Sequence, residues 1–174
     1  MKTKMLVAAF ALVFFSGCST MHASQRAQDD LLIEARAVHK KFLAAFNAND
    51  AQALSALYSK DPQVTLYPPD EMAAKGSAAI ETSFRSMAKG IPGAMLSMTE
   101  EHFRADGESV YAWGLWEMTL PGPRGKSIKM NGRFTEYLVV EDGKLVLLVD
   151  HASVPVGGKS DRVKKPSKKK SRRK

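Results

Sequence analysis

The chain of 174 residues has one cysteine, Cys18, so no disulfide can staple its interior. The apolar run from Met5 to Phe15 is too short to cross a bilayer, which takes roughly 20 residues. No pair of its histidines has metal-ligand spacing, so no metal is expected, and no motif calls for another cofactor. Basic residues are not interleaved with aromatics and no groove-reading motif is present, which argues against a specific nucleic-acid binder. No internal repeat is visible.

What is present begins with an address. Lys2 and Lys4, the apolar run and the small pair Ser16-Gly17 have the layout of an export signal. Phe15-Ser16-Gly17-Cys18 resembles a bacterial lipobox, with Phe15 where that motif usually has Leu. The resemblance implies cleavage after residue 17 and acylation, including palmitate, of Cys18. Ser19 after the cysteine implies the outer membrane, with the domain facing the periplasm. Without acylation the mature chain would be soluble in the periplasm.

The net charge of +8 belongs to the ends. Residues 159–174 hold ten Lys or Arg against Asp161, and with Lys2 and Lys4 removed the middle is left at −3. A segment so basic, with Val163 as its one large apolar side chain, is expected to be disordered. It could hold an anionic lipid surface or another polyanion, or simply be solvated. The sequence thus divides into a signal (1–17), a spacer (18–28), one domain (29–156) and a basic tail (157–174).

Within the domain, Leu31, Leu32, Ala35, Val38, Phe42, Ala45 and Phe46 recur at helical steps from Gln28 onward. Asp29 or Asp30 suits the start, and His39 is assigned to the polar face. Asp50 can cap a short second helix carrying Leu54 and Leu57. Val64 to Pro68 fits a strand, and Gly76-Ser77 opens a third helix closed by Gly90 and Pro92. Four β-rich runs follow, 95–103, 109–120, 128–141 and 144–154, divided by turn signals such as Asp106-Gly107 and Asp142-Gly143. In 109–120, Val110, Ala112, Trp116 and Met118 share one face, and Tyr111, Trp113 and Leu115 the other. Both faces therefore need cover, one from the helices and one from a second subunit. Helices first and strands afterwards give an α+β domain on an antiparallel sheet.

Several strings in this order resemble the nuclear-transport-factor-2-like superfamily in its SnoaL-like branch. They are Phe42-Leu-Ala-Ala-Phe-Asn-Ala-Asn-Asp50, Leu57-Tyr-Ser-Lys-Asp61, Gly76-Ser-Ala-Ala-Ile80, Gly132-Arg-Phe-Thr135 and Asp142-Gly-Lys144 through Asp150-His-Ala-Ser153. The resemblance implies a curved sheet wrapped around three helices into a cone, an apolar pocket for a small molecule, and homodimers. It includes ketosteroid isomerase, which uses an Asp base with a Tyr and a protonated Asp as oxyanion hole. Those roles fall on Phe42, Leu66 and Thr135 here, or on Tyr67 in place of Leu66 if the register moves by one, so chemistry of that type is not expected.

The polar candidates left for acid–base work are His151, Asp150, Arg133 and Tyr67. Asp150 and His151 are strand neighbours, so only one can enter the cone; if His151 does, it could act near neutral pH. Arg133, in a strand interior, would seek Glu117 or Asp150, or else a carboxylate ligand. Tyr67, Trp113 and Trp116 also suit core or dimer packing. Three functions stay open: a tethered pocket without catalysis, an isomerase, cyclase or hydrolase using the cone, and a structural partner-binding protein.

Overall fold

In the computed structural model, residues 16–155 are described, with side chains from Gln25 onward. Residues 1–15 of the expected signal (1–17) and the whole basic tail (157–174) lie outside the described residues, as does the end of the domain beyond Pro155. Cys18 falls in a helix where the backbone alone is described. Among the described residues, no helix is long and apolar enough to cross a membrane.

The first helix, α1 (Ser16–Asn47), carries the apolar stripe expected of it but starts well before Asp29. Residues 19–28 contain no Gly or Pro, so nothing in them interrupts a helix. Its end is held by Asn47. That side chain donates from Nδ2 to the Leu96 carbonyl at 3.0 Å and accepts from the Leu96 N–H at 2.7 Å. The short α2 (Ala51–Ser55) is capped by Asp50, whose carboxylate accepts from the Ala53 N–H at 2.9 Å. Strands β1 (Thr65–Tyr67) and β2 (Ala74–Lys75) lead to α3 (Ser77–Gly90), which buries Ile80 and Phe84.

Four long strands complete the chain: β3 (Met95–Asp106), β4 (Ser109–Pro121), β5 (Ser127–Glu141) and β6 (Lys144–Ser153). They form the expected meander, and Asp142 and Gly143, at φ 52° and 72°, make the two-residue turn of the last hairpin. The sheet order is β2-β1-β6-β5-β4-β3. It is not antiparallel throughout, because β1 runs parallel to β6. A parallel neighbour arrives through a long connection and leaves no hairpin signature in the sequence. The result is an α+β fold, three helices against a curved, unclosed six-stranded sheet.

Two irregularities decide which side chains face the helices. In β3 the pairing slips between Met98 and Glu100, so Thr99 is extra. In β6, Leu147 pairs with Leu138 and Val149 with Tyr137, so Leu148 is extra. Each bulge inverts the in–out alternation beyond it. Inward residues run Leu145, Leu147 and then Asp150, where strict alternation would have placed Val149 and His151. The bulge in β3 likewise brings Glu101 to the helix side, where its carboxylate meets His39 on α1.

On β4 and β5 alternation is regular, with Val110, Ala112, Trp116 and Met118 inside, and Phe134, Glu136 and Leu138 beside them. Trp116 lies against β5 because residue 132 is glycine: a Cβ there would sit 2.0 Å from the indole ring. The indole N–H donates to the Arg133 carbonyl at 3.2 Å.

Candidate functional site

Between the sheet and α1 and α3 lies a cavity of about 70 Å³. Phe42, Phe46, Phe84, Trp116 and Phe134 contribute aromatic rings to its wall, and Leu66, Met87, Met98 and Met118 contribute flexible aliphatic surface. Two polar side chains reach it, Glu136 and Asp150, which face each other across β5 and β6. Both are buried, at 6% and 5% exposure. The volume is well below the roughly 300–1,000 Å³ of drug-sized sites, so it suits a molecule of a few heavy atoms. Thioether side chains on the wall can also shift to admit somewhat more.

The two carboxyls belong to a hydrogen-bonded network. His39, 3% exposed, sets Nε2 2.6 Å from Glu136 and Nδ1 2.7 Å from Glu101. Where both carboxyls are ionised they only accept, and both ring nitrogens then donate as an imidazolium. Burial opposes that charge, but hydrogen bonds and attraction from Glu136, then Glu101, outweigh it and raise the His39 pKa. Tyr58 donates its hydroxyl to Asp150 at 2.5 Å. Burial, then the negative charge of Asp150, holds the Tyr58 phenol well above its ordinary value, so it stays a donor. Burial, then repulsion from Glu136, raises Asp150 from 3.8 to about 7, against the opposing pull of Tyr58 and His39. A carboxyl that exchanges its proton near neutrality therefore opens on an apolar cavity.

The four site residues expected from sequence do not converge. Asp150 is in the cone. His151 points to the other face of the sheet, where its Nδ1 is 3.3 Å from the Thr135 hydroxyl, so it is not the group that enters the pocket. Arg133 is also outside and donates from Nε to Ser153 Oγ at 3.2 Å. Of the carboxylates it was expected to seek, Glu117 pairs with Lys129 at 2.7 Å and Asp150 is in the interior. Tyr67 is 43% exposed, with its ring edge-on to His151.

Phe42 and Leu66 line the cavity, as the isomerase alignment implies, but Thr135 does not. Its neighbour Glu136 does. His39, Glu136 and Tyr58 were missed, and the first two carried signals. His39 falls in the stripe Ala35, Val38, Phe42 and so had to be buried rather than on the polar face. Glu136 interrupts the inward set Phe134 and Leu138. Among the described residues, no three His, Cys, Asp or Glu side chains are grouped to hold a metal ion.

The outer face of the sheet is also apolar. Tyr111, Trp113 and Leu115 are 46%, 41% and 45% exposed. Together with Arg133, Thr135 and His151, Trp113 and Leu115 line a shallow, open groove.

Solved structures share this architecture. A protein from Xanthomonas campestris, provisionally described as a calcium/calmodulin dependent protein kinase II association domain, superposes with a TM-score of 0.62 at 21% identity, over 71% of this chain and 87% of its own. A provisional dehydratase of the NTF2-like family from Streptomyces avermitilis gives a TM-score of 0.66 at 15% identity, over 74% of this chain and 99% of its own. An uncharacterised protein with a cystatin-like fold from Caulobacter vibrioides gives 0.62 at 15% identity, over 72% and 90%. At these identities the likeness is one of fold. None of the curated proteins compared matches the chain significantly. The family model of the SnoaL-like domain matches residues 39–148, which include His39, Tyr58, Glu101 and Glu136 and stop just short of Asp150. The chain belongs to the SnoaL-like domain family.

Proposed function

We propose that this chain is a lipid-anchored protein of the bacterial envelope whose cone binds a small, mostly apolar molecule. The observation that carries the pocket reading is an aromatic and aliphatic cavity with just two polar side chains, Glu136 and Asp150, on its wall. Apolar lining supplies affinity and a few fixed polar groups supply orientation. The anchor rests on the lipobox-like string ending at Cys18, and the basic residues of 159–174 offer a second contact to an anionic lipid surface. The apolar outer face, with Tyr111, Trp113 and Leu115, is suited to pairing with a second copy.

A second reading is favoured by one observation, the placement of Asp150. A carboxyl that titrates near 7 beside a phenol donor can take a proton from a substrate carbon or heteroatom and return it elsewhere. In that reading Asp150 is the acid–base group, Tyr58 positions it, and the cavity excludes water.

The test is native mass spectrometry of the full chain extracted from envelopes. The proposal expects acyl mass on Cys18, a dimer, and a small retained molecule. A bare monomer without lipid or ligand would contradict it.

A further inference from the structure

The cavity's polar and aromatic groups restrict what can occupy it. Glu136 uses one carboxylate oxygen to accept from His39, and Asp150 uses one to accept from Tyr58. Glu136 Oε1 and Asp150 Oδ1 have no hydrogen-bond partner among the described residues. They are not sealed away either, since Ser83 Oγ is the one buried side-chain polar atom without a partner in that set. Both residues line the cavity, so two acceptors, each on a side chain more than nine-tenths buried, open onto it. In the network behind them, three carboxyls (Glu101, Glu136 and Asp150) face one imidazole. Tyr58 donates to Asp150 and His39 to Glu101 and Glu136, but no Lys, Arg or His lines the cavity itself, and Arg133 and His151 lie on the far side of the sheet. Phe42, Phe84, Trp116 and Phe134 line the same cavity. Aromatic faces attract cations, and more so when the cation is desolvated.

Resting on the pocket reading above, we infer that the cone selects a small aliphatic ammonium compound, its N–H groups donated to Asp150 and Glu136 and its hydrocarbon seated among the aromatic rings. A neutral alcohol of the same size has one donor and no charge to offer. A carboxylate of the same size meets two like charges on a wall that carries no cationic side chain, the imidazole of His39 being engaged behind it by Glu101 and Glu136.

The chain has two tryptophans, Trp113 on the outer face and Trp116 on the cavity wall, so full-length protein carrying Trp113→Phe reports on the cavity through Trp116 fluorescence. Butylammonium, butanol and butyrate are titrated separately at matched ionic strength and about pH 8, where the amine is charged and Asp150 is mostly ionised. The expected result is saturable change with butylammonium, at a Kd about tenfold below that of butanol, and no saturation with butyrate. Adding Asp150→Asn, with folding checked by circular dichroism, is expected to bring the amine to within about threefold of the alcohol. Butanol or butyrate binding as tightly as the amine overturns the inference and leaves the pocket reading intact. If no probe perturbs Trp116, the pocket reading fails and the inference with it.

Discussion

Asp150→Asn is expected to stabilise the protein at alkaline pH and to change little in acid. The folded Asp150 is raised to about 7 from an ordinary 3.8, so the folded state holds a proton that the unfolded chain releases. Stability from that proton is fully present below about pH 4 and is lost as pH rises through about 7. At about 1.4 kcal/mol per pKa unit, the loss across this window is on the order of 4 kcal/mol at most. Relaxation of the cavity and the flexibility of Met98 and Met118 reduce it toward about 2 kcal/mol. Asparagine keeps the shape, accepts from the Tyr58 hydroxyl through its carbonyl, and never ionises. Urea unfolding at about pH 3.5, 7 and 8.5 would measure it. The variant should match the wild type at the acid end and exceed it by about 2–4 kcal/mol at the alkaline end. His39 contributes a slope of the same sign, also lost as pH rises through its raised folded value, and that slope should persist in the variant. A variant equally destabilised at all three values would refute the argument, because Asp150 would then act through packing alone.

His39→Ala removes the cation between Glu101 and Glu136 and leaves a carboxylate 94% buried without its partner, at a cost of about 3–5 kcal/mol in denaturant melts; a loss under about 1 kcal/mol would mean that the network is open to water. Gly132→Ala drives a Cβ into the Trp116 ring, which should cost about 1–3 kcal/mol and shift tryptophan emission to the red, and an unchanged spectrum would contradict that contact. Asn47→Ala frees both backbone groups of Leu96, so hydrogen exchange at the start of β3 should accelerate, with about 1–3 kcal/mol lost in unfolding. Unchanged exchange there would show that the end of α1 is held by other contacts.

The sequence made the elements legible where periodicity and turn chemistry are local. The stripe from Leu31 to Phe46, the Asp50 cap, Gly76 before α3 and Asp142-Gly143 in the last hairpin each specify their structure within a few residues. The site was less legible because two bulges set it. Counting alternate residues along β6 from Leu145 puts His151 inside, and the extra Leu148 puts Asp150 there instead. Nothing local in Leu145-Val-Leu-Leu-Val-Asp150 specifies which leucine is extra, since the run is apolar on both faces. The same holds for Thr99, which turns Glu101 toward His39. Tyr58 reaches Asp150 because the Ser59 N–H and the Leu57 carbonyl bond the backbone of Leu147, a contact 90 residues away in the chain that no nearby pattern records.

The most direct test of the central claim, that the cone cavity is the ligand site, is a titration of the full-length protein with benzene, followed by NMR of its methyl and aromatic groups. The account predicts saturable shifts at Leu66, Met98, Trp116 and Phe134, lost when Ala152→Leu fills the cavity, while Trp113 and Leu115 on the outer face stay fixed. Saturable shifts confined to the outer face, or none at all, would contradict it.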